Sequence, residues 1–477
     1  MYIEQLWAVS TGLSQSIASS GGFLPALLVD HADVPVHARV ITVNKSSYST
    51  DLTAATDALS WCTSLWGQNY NPANAYICRW ASAATEAGCV FYNAETDYSV
   101  FTALTNTAKF KLVEGASNED ISPDFTGDTS KVDNAASIQT ALGSSTLGAA
   151  YTCIVDALGY FYIGSDNTGS SADAVSITTP STGVDLSLAA YLGTSTAVAG
   201  LDIESLGAAQ AAVKTKMELP YAWCQRGGSI AQVTAFSTVV NAMNNFLFLR
   251  CDDPVAKTAT TTDFGYAIDA LGHNRTHMCY TEHTVNIGAA ADQNPDAVVL
   301  GEILARPNDE GATSYANTPL SGVSKSGLHP DGITVISLTD GERAFLEGKG
   351  YDYLIKPRTL THLRHGLTPG GQEVRVMVGR DWFNMRIMED VYSYVIAQRV
   401  VTYSDRHFAA IKGFLINRAD TLVDRQCLEA GYTIDMPLAS SFTATEKATH
   451  TLTLSNVLNA TVQLAINDGV ISMNWAV

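Results

Sequence analysis

FLFLRCDDPVAKTATTTDFGYAIDALGHNRTHMCYTE, residues 246–282, opens on a short apolar run, residues 246–251, that leaves through Asp252-Asp253-Pro254. The run reads as a strand, and Asp253-Pro254 is a common strand-to-turn exit. TTDFGYAIDALG then has helical spacing and stops at Gly272, after which THMCYTE reads as a second strand. Moving outward, a helix from Ala231 to about Asn245 precedes the stretch and the helix DAVVLGEILA follows it. Strands and helices alternating at these lengths predict a parallel or mixed sheet, and therefore an α/β (α+β) fold.

The same grammar occurs near the amino terminus. FLPALLVD (23–30), ARVITVNK (38–45) and NAYICRW (74–80) read as strands, with a helix from about Asp51 to Gly67 among them. Between the two halves, residues 109–228 are rich in Ser, Thr, Gly and Asp. They hold 6 basic and 13 acidic residues, short strands, a helix near Asp133–Leu142 and a hairpin-like run at 151–166. This predicts a discontinuous mixed-sheet core, 23–108 with 229–355, carrying an inserted β-rich domain at 109–228. Met1 to Gly22 ends in Ser19-Ser20-Gly21-Gly22 and reads as an arm.

Residues 356–477 form the last expected domain. Before it, 307–332 is a polar loop and Thr339 to Glu342 has capping-box spacing. YDYLIK (351–356) and EVRVMVG (373–379) read as strands on either side of the TPGG turn at 368–371. Two long helices follow. The first carries Ile387, Met388, Val391, Tyr392, Val395 and Ile396 on one face; the second begins at Ser404, carries Phe408, Ile411, Leu415, Ala419, Leu422 and Val423, and stops at Gly431. HTLTLS (450–455) alternates, and Asp468-Gly469 suits a primed hairpin turn. That turn pairs Ile466 with Ile471, Leu464 with Met473, and Val462 with Trp475, which leaves an edge at the chain terminus to be covered or paired.

Charge narrows the function classes. The 477 residues carry 28 Lys and Arg against 47 Asp and Glu, a net charge of −19, so phosphate backbones and anionic membranes are poor bulk partners. Residues 356–477 hold 12 basic and 11 acidic residues, against 16 and 36 in the rest. The near-neutral part is thus the better candidate for docking on an acidic surface. No apolar window approaches a membrane span and the first 30 residues lack Lys and Arg, so a soluble chain made and kept in the cytosol is expected, with no membrane insertion and no nucleic acid bound. Eight cysteines without a Cys-x-x-Cys pair read as buried thiols.

Motifs for chemistry are sparse. There is no phosphate loop, dinucleotide fingerprint or nucleophile elbow, and Gly322-Val323-Ser324-Lys325-Ser326-Gly327 reads as a turn. His273, His277, Cys279 and His283 are the best metal candidates by residue type. Gly272, however, puts His273 in a loop, and on a strand His283 lies about 20 Å from His277. Asp252, Asp253 and Asp381 follow strands where α/β enzymes place acids, but Asp253 suits a turn exit and Asp381 suits a cap for a helix starting at Trp382. No catalytic residue, cofactor or metal is therefore assigned. On the helix after Ser404, Arg406, Lys412, Arg418 and Arg425 form either a solvated mixed-charge face or a docking face for an acidic partner.

Several stretches together resemble a contractile tail sheath protein of a myovirus-type bacteriophage. They are NPANAYICRW (71–80), YFYIGSDNTGSSADAVSITT (160–179) with GVDLSLAAYLG (183–193), GQEVRVMVGRDWFNMRIMEDVYSYV (371–395) and DRHFAAIKGFLINRAD (405–420). The likeness is one of pattern and order across most of the chain, clearest after residue 356 and at 160–193. It implies a non-enzymatic virion protein whose copies stack as hexameric rings around a tail tube, meet baseplate and tail terminator proteins, and shorten on triggering. It further implies assembly in the host bacterial cytoplasm, a tube-facing inner domain at 356–477 with Arg406, Lys412, Arg418 and Arg425, and an outermost 109–228. Terminal arms would add strands to neighbouring sheets, here through Val462, Leu464, Ile466, Ile471, Met473 and Trp475. Another tail or baseplate protein is the nearest alternative, and an acidic cytosolic α/β enzyme the next.

Overall fold

The computed structural model describes residues 24–30, 38–52, 57–67, 72–92, 101, 103–104, 107–147, 150–155, 160–188, 191–193, 195–215, 220–243, 245–281, 294–304, 338–355, 362–398, 401–424, 428–448 and 458–459. The chain begins with β1 (Pro25–Asp30), β2 (Val40–Asn44), α1 (Tyr48–Asp51), α2 (Asp57–Trp66) and β3 (Asn74–Trp80). It continues through β4 (Glu86–Tyr92), β5 (Ala108–Glu114), β6 (Ser117–Ile121), α3 (Lys131–Leu142), β7 (Tyr151–Val155), β8 (Tyr160–Thr168), β9 (Val175–Thr178), β10 (Val184–Asp185) and β11 (Thr196–Val198). Next come α4 (Leu206–Lys214), β12 (Ala222–Gln225), α5 (Ile230–Ala242), β13 (Phe246–Cys251), α6 (Phe264–Asp269), β14 (Thr276–Tyr280), α7 (Pro295–Leu304), α8 (Asp340–Glu347), β15 (Tyr351–Ile355) and β16 (His362–Leu363). The last elements are α9 (Val374–Gln398), α10 (Asp405–Asp424), β17 (Thr433–Ile434), α11 (Ala444–Ala448) and β18 (Leu458–Asn459).

An eight-stranded sheet in the order β16-β15-β14-β13-β12-β1-β3-β2 organises the molecule. Its six inner strands are parallel and both outer strands are antiparallel, so the α/β class and the mixed sheet hold. Because inner strands are covered on both faces, Leu247 and Phe248 are both fully buried although they point opposite ways. One face packs against α2, α7, α9 and α10 through Trp61, Leu65, Val299, Met377, Trp382 and Ile411. The other packs against α4, α5, α6 and α8 through Leu206, Phe236, Ile268 and Leu346. The capping box at Thr339 is formed, with Glu342 Oε2 accepting from the Thr339 backbone N–H at 2.9 Å.

A separate apolar core, from Cys89 to Leu192, belongs to the β-rich unit inserted between β3 and α4. Three antiparallel pairings, β11 with β4, β4 with β8 and β8 with β7, make one of its sheets; β6, β9 and β10 all pair with β5 in the other. Gly88 and Gly164 face each other across β4 and β8 beneath the Tyr162 ring. A Cβ at either glycine would sit 2.6–2.7 Å from ring carbons, so only glycine fits there. The Glu114 carboxylate staples the two sheets together, accepting from Ser165 Oγ at 2.7 Å, Asn167 Nδ2 at 2.8 Å and the Tyr151 hydroxyl. Of the edges expected for this insertion, residue 109 falls inside β5, while residue 228 lies beyond β12, a strand of the main sheet.

One expected element is corrected. EVRVMVG is the start of α9, a single 25-residue helix, and no strand forms there. The alternation that imitates a strand comes from Arg375, which is buried and paired with Glu373 at 3.0 Å, so its charge does not mark a solvent face. Val374, Met377, Val378, Asp381, Trp382 and Met385 are all buried and recur at helical spacing. Asp381 consequently lies inside a helix and caps nothing.

Candidate assembly surface

The residues of the expected docking region lie on α9, α10 and the short segments after them. Asp381 anchors α9 to the sheet from beneath. Its carboxylate is fully buried and accepts from Arg275 Nη1 at 2.6 Å, Arg275 Nη2 at 2.8 Å and the Tyr221 hydroxyl at 2.7 Å. Arg275 and Tyr221 precede β14 and β12, so this cluster sits at the amino-terminal ends of the central strands. The residue singled out as a possible acid is held by a fork of two N–H donors in a dry site, an arrangement suited to fixing a helix.

Helix α10 returns alongside α9, burying Phe408, Ile411, Ala419 and Leu422. Arg418 donates to Asp390 on α9 at 2.7 and 2.9 Å, and its guanidinium lies 6.0 Å from the Trp382 ring centroid. At the other end of the hairpin, Tyr394 and His407 share a hydrogen bond of 2.6 Å. The exposed residues of α10 are Asp405, Arg406, Ala409, Gly413, Ile416, Asn417, Asp420 and Asp424. Of the four basic residues singled out, Arg406 is thus exposed, Lys412 is half-buried, Arg418 is engaged within the hairpin, and Arg425 lies outside the described residues.

The chain after α10 folds back on its start. Asp405 Oδ1 accepts from Ala439 N at 2.7 Å, and Phe442 packs edge-on against both Tyr403 and Phe408. Beside it β17 and β18 make a two-stranded antiparallel sheet with two residue pairs, Thr433 with Asn459 and Ile434 with Leu458. Neither strand has a second neighbour among the described residues. Val462, Leu464, Ile466, Ile471, Met473 and Trp475, as well as HTLTLS, lie outside the described residues.

The metal candidates do not converge. His273 meets Ser237 Oγ at 2.7 Å on the α5 side of the sheet, whereas His277 approaches Asp352 at 3.3 Å and packs on Phe248, on the opposite side. Cys279 is buried in the apolar core, His283 lies outside the described residues, and no group of metal-ligating side chains occurs among the described residues. Seven cysteines are described, each buried and unbridged; burial pushes the Cys153 thiol up to about 12. Asp253 caps a short turn by accepting from Val255 N at 2.9 Å, and Asp252 lies 3.9 Å from Arg250. No described helix is long and apolar enough to cross a membrane.

Sequence reasoning missed the buried ionic groups. Arg226 pairs with Asp296 through two bonds of 2.9 and 3.0 Å. Lys349 donates to Asp263 at 2.7 Å and to the carbonyls of Val255 and Thr260 at 3.2 and 2.7 Å. Burial alone would raise the Asp263 carboxyl, but hydrogen bonds from Lys349, the Tyr266 N–H and Tyr351 bring it below the ordinary carboxylate range. The partners are 70 and 86 residues apart in sequence, so no local pattern announces them.

No family model matches the chain, and no curated protein matches it. Among solved structures it is similar to the sheath tail protein of Desulfitobacterium hafniense, at 9% sequence identity and a TM-score of 0.46, over 88% of this chain and 91% of that one. It is also similar to the sheath tail protein of Listeria innocua, at 12% identity and a TM-score of 0.45, over 86% of this chain and 87% of that one.

Proposed function

We propose that the chain is a structural subunit of a contractile tail sheath. The observation that carries this reading is the β17–β18 sheet, whose two residue pairs are too few to persist unaided. Strands supplied by neighbouring copies would complete it through backbone hydrogen bonds. The alternating segment containing Val462, Leu464, Ile466, Ile471, Met473 and Trp475 follows β18 directly and is the proposed donor, with the arm 1–22 as the second.

In this reading residues 356–477 face the tail tube, and their near balance of charge suits them to it better than the acidic remainder. Arg406 and Lys412 are the proposed tube-facing cations, and Arg418 holds the hairpin that presents them. The inserted β-rich unit is displayed outward. Copies form hexameric rings through a contact that closes, the rings stack into a helical array through a head-to-tail contact that does not close, and the array meets baseplate and terminator proteins in the virion tail. Assembly takes place in the host cytoplasm and involves no catalysis. Strand tethers survive rotation of the bodies they join, so the lattice can repack from a kinetically trapped extended state to a shorter one without coming apart.

Removing residues 461–477 tests the reading. The shortened chain is expected to keep its circular dichroism and melting temperature while losing polymerisation. Wild-type-like tubes from it would refute the tether.

A further inference from the structure

Helix α5, IAQVTAFSTVVNA, has no charged residue along its 13 positions. Its inner face buries Val233, Phe236 and Val240 against the sheet. The outer face is scarcely more polar: Ile230, Ala231, Ala235, Thr238, Val239 and Ala242 are its exposed residues. A surface helix ordinarily turns its charges outward, and one without them on any side belongs in an interior.

The neighbouring helices extend this face. α4 lies along one flank of α5, so close that a Cβ at Gly207 would be 3.4 Å from Val239 Cγ2, and it exposes Ala208 and Ala211. α6 packs on α5 from the other flank and exposes Tyr266, with the exposed Leu271 just after it. Lys214 at the end of α4 is half-buried and donates to Met243 Sδ, and Asp269 on α6 is half-buried beside Gly350. Across 205–215, 227–243 and 264–272, then, no exposed residue is charged, whereas charges make about a quarter to a third of an ordinary surface.

Charge and area together say what covers it. Each copy carries −19, so two copies repel, and they approach with least opposition through a face that carries no charge of its own. A strongly charged partner would find nothing there to pair with. Helices of 9, 13 and 6 residues, at about 1.5 Å per residue and about 10 Å apart, offer a footprint of about 400 Å². That is about half of the ~800 Å² per partner in a stable pairwise interface, too little to hold two isolated molecules together. In an array the same small contact recurs at every position and adds to the others, which only copies of one chain provide.

We propose that the outer face of α4, α5 and α6 docks on a second copy of this chain. The inference rests on the reading that copies assemble, and it names a surface by which they do. Because an open array is built from heterologous contacts, the face meets a different surface of the next copy and not itself. The test is the threshold concentration at which the full chain pellets in the ultracentrifuge, for wild type, Ala235→Glu, Thr238→Lys and Ala136→Glu, the last placing the same charge on an exposed position of α3. Both changes on the face bury an unpaired charge in the contact and should raise the threshold about a hundredfold, whichever sign they carry, while the subunit's melting temperature stays within about 1 °C. Ala136→Glu should pellet at the wild-type threshold. Wild-type thresholds for both face variants would overturn the proposal and leave assembly standing, as would an equal rise for Ala136→Glu. A lowered melting temperature at an unchanged threshold would assign the cover to another part of the same chain and also overturn it. Wild type that pellets at no concentration would overturn the assembly reading, and this face with it.

Discussion

Replacing Asp381 with Ala should be among the most damaging single changes in this chain. The substitution removes a buried carboxylate that accepts three hydrogen bonds of 2.6–2.8 Å and strands the Arg275 guanidinium, itself 3% exposed, without it. Breaking a buried pair by deleting one partner costs about 3–5 kcal/mol, because the surviving charge stays desolvated. The guanidinium also lies 5.6 Å from the Phe246 ring centroid, a weaker contact that does not replace the carboxylate. For a unit of more than about 250 residues the sensitivity is about 1–2 °C per kcal/mol, so the melting temperature of Asp381→Ala should fall by about 5 °C. The double variant Arg275→Met/Asp381→Ala removes both charges and should recover most of that loss, leaving a coupling energy of about 2–3 kcal/mol in the cycle of wild type, Asp381→Ala, Arg275→Met and the double variant. Scanning calorimetry of the four proteins measures it. A fall of less than about 2 °C for Asp381→Ala, or a double variant no better than the single one, would refute the argument that this pair fixes α9 on the sheet.

The inserted unit offers two more tests. Burial would raise the Glu114 carboxyl, but bonds from Tyr151, Asn167 and Ser165 lower it below its ordinary value, so the staple contributes stability above about pH 4.3, the unfolded value, and loses it as pH falls through the folded one. Glu114→Gln should therefore exchange amide hydrogens faster in 86–198 at neutral pH and show a flatter acid dependence there, as followed by mass spectrometry; an unchanged acid profile would remove Glu114 from the account. Gly88→Ala, placing a methyl group against the Tyr162 ring, should cost about 1–3 kcal/mol by urea unfolding, whereas Gly341→Ala, with open space around it, should cost almost nothing.

Legibility followed the reach of each interaction. NAYICRW and FLFLRC are strands at the bounds their apolar runs suggest, because central strands of a covered sheet announce themselves locally. Thr339 to Glu342 is equally plain, since a capping box is complete within four residues. The start of α9 misleads because Arg375 is buried with Glu373, so polarity there stops reporting exposure. Arg418 looked like a free surface cation and is engaged with Asp390, 28 residues earlier on the partner helix. That pairing exists only once α9 and α10 lie side by side, and the same holds for Arg226 with Asp296.

The central claim is that copies of this chain assemble with one another. Negative-stain electron microscopy of the purified full chain over a concentration series tests it most directly: hollow tubes or stacked rings above a threshold concentration are predicted, and single subunits at every concentration would contradict the account.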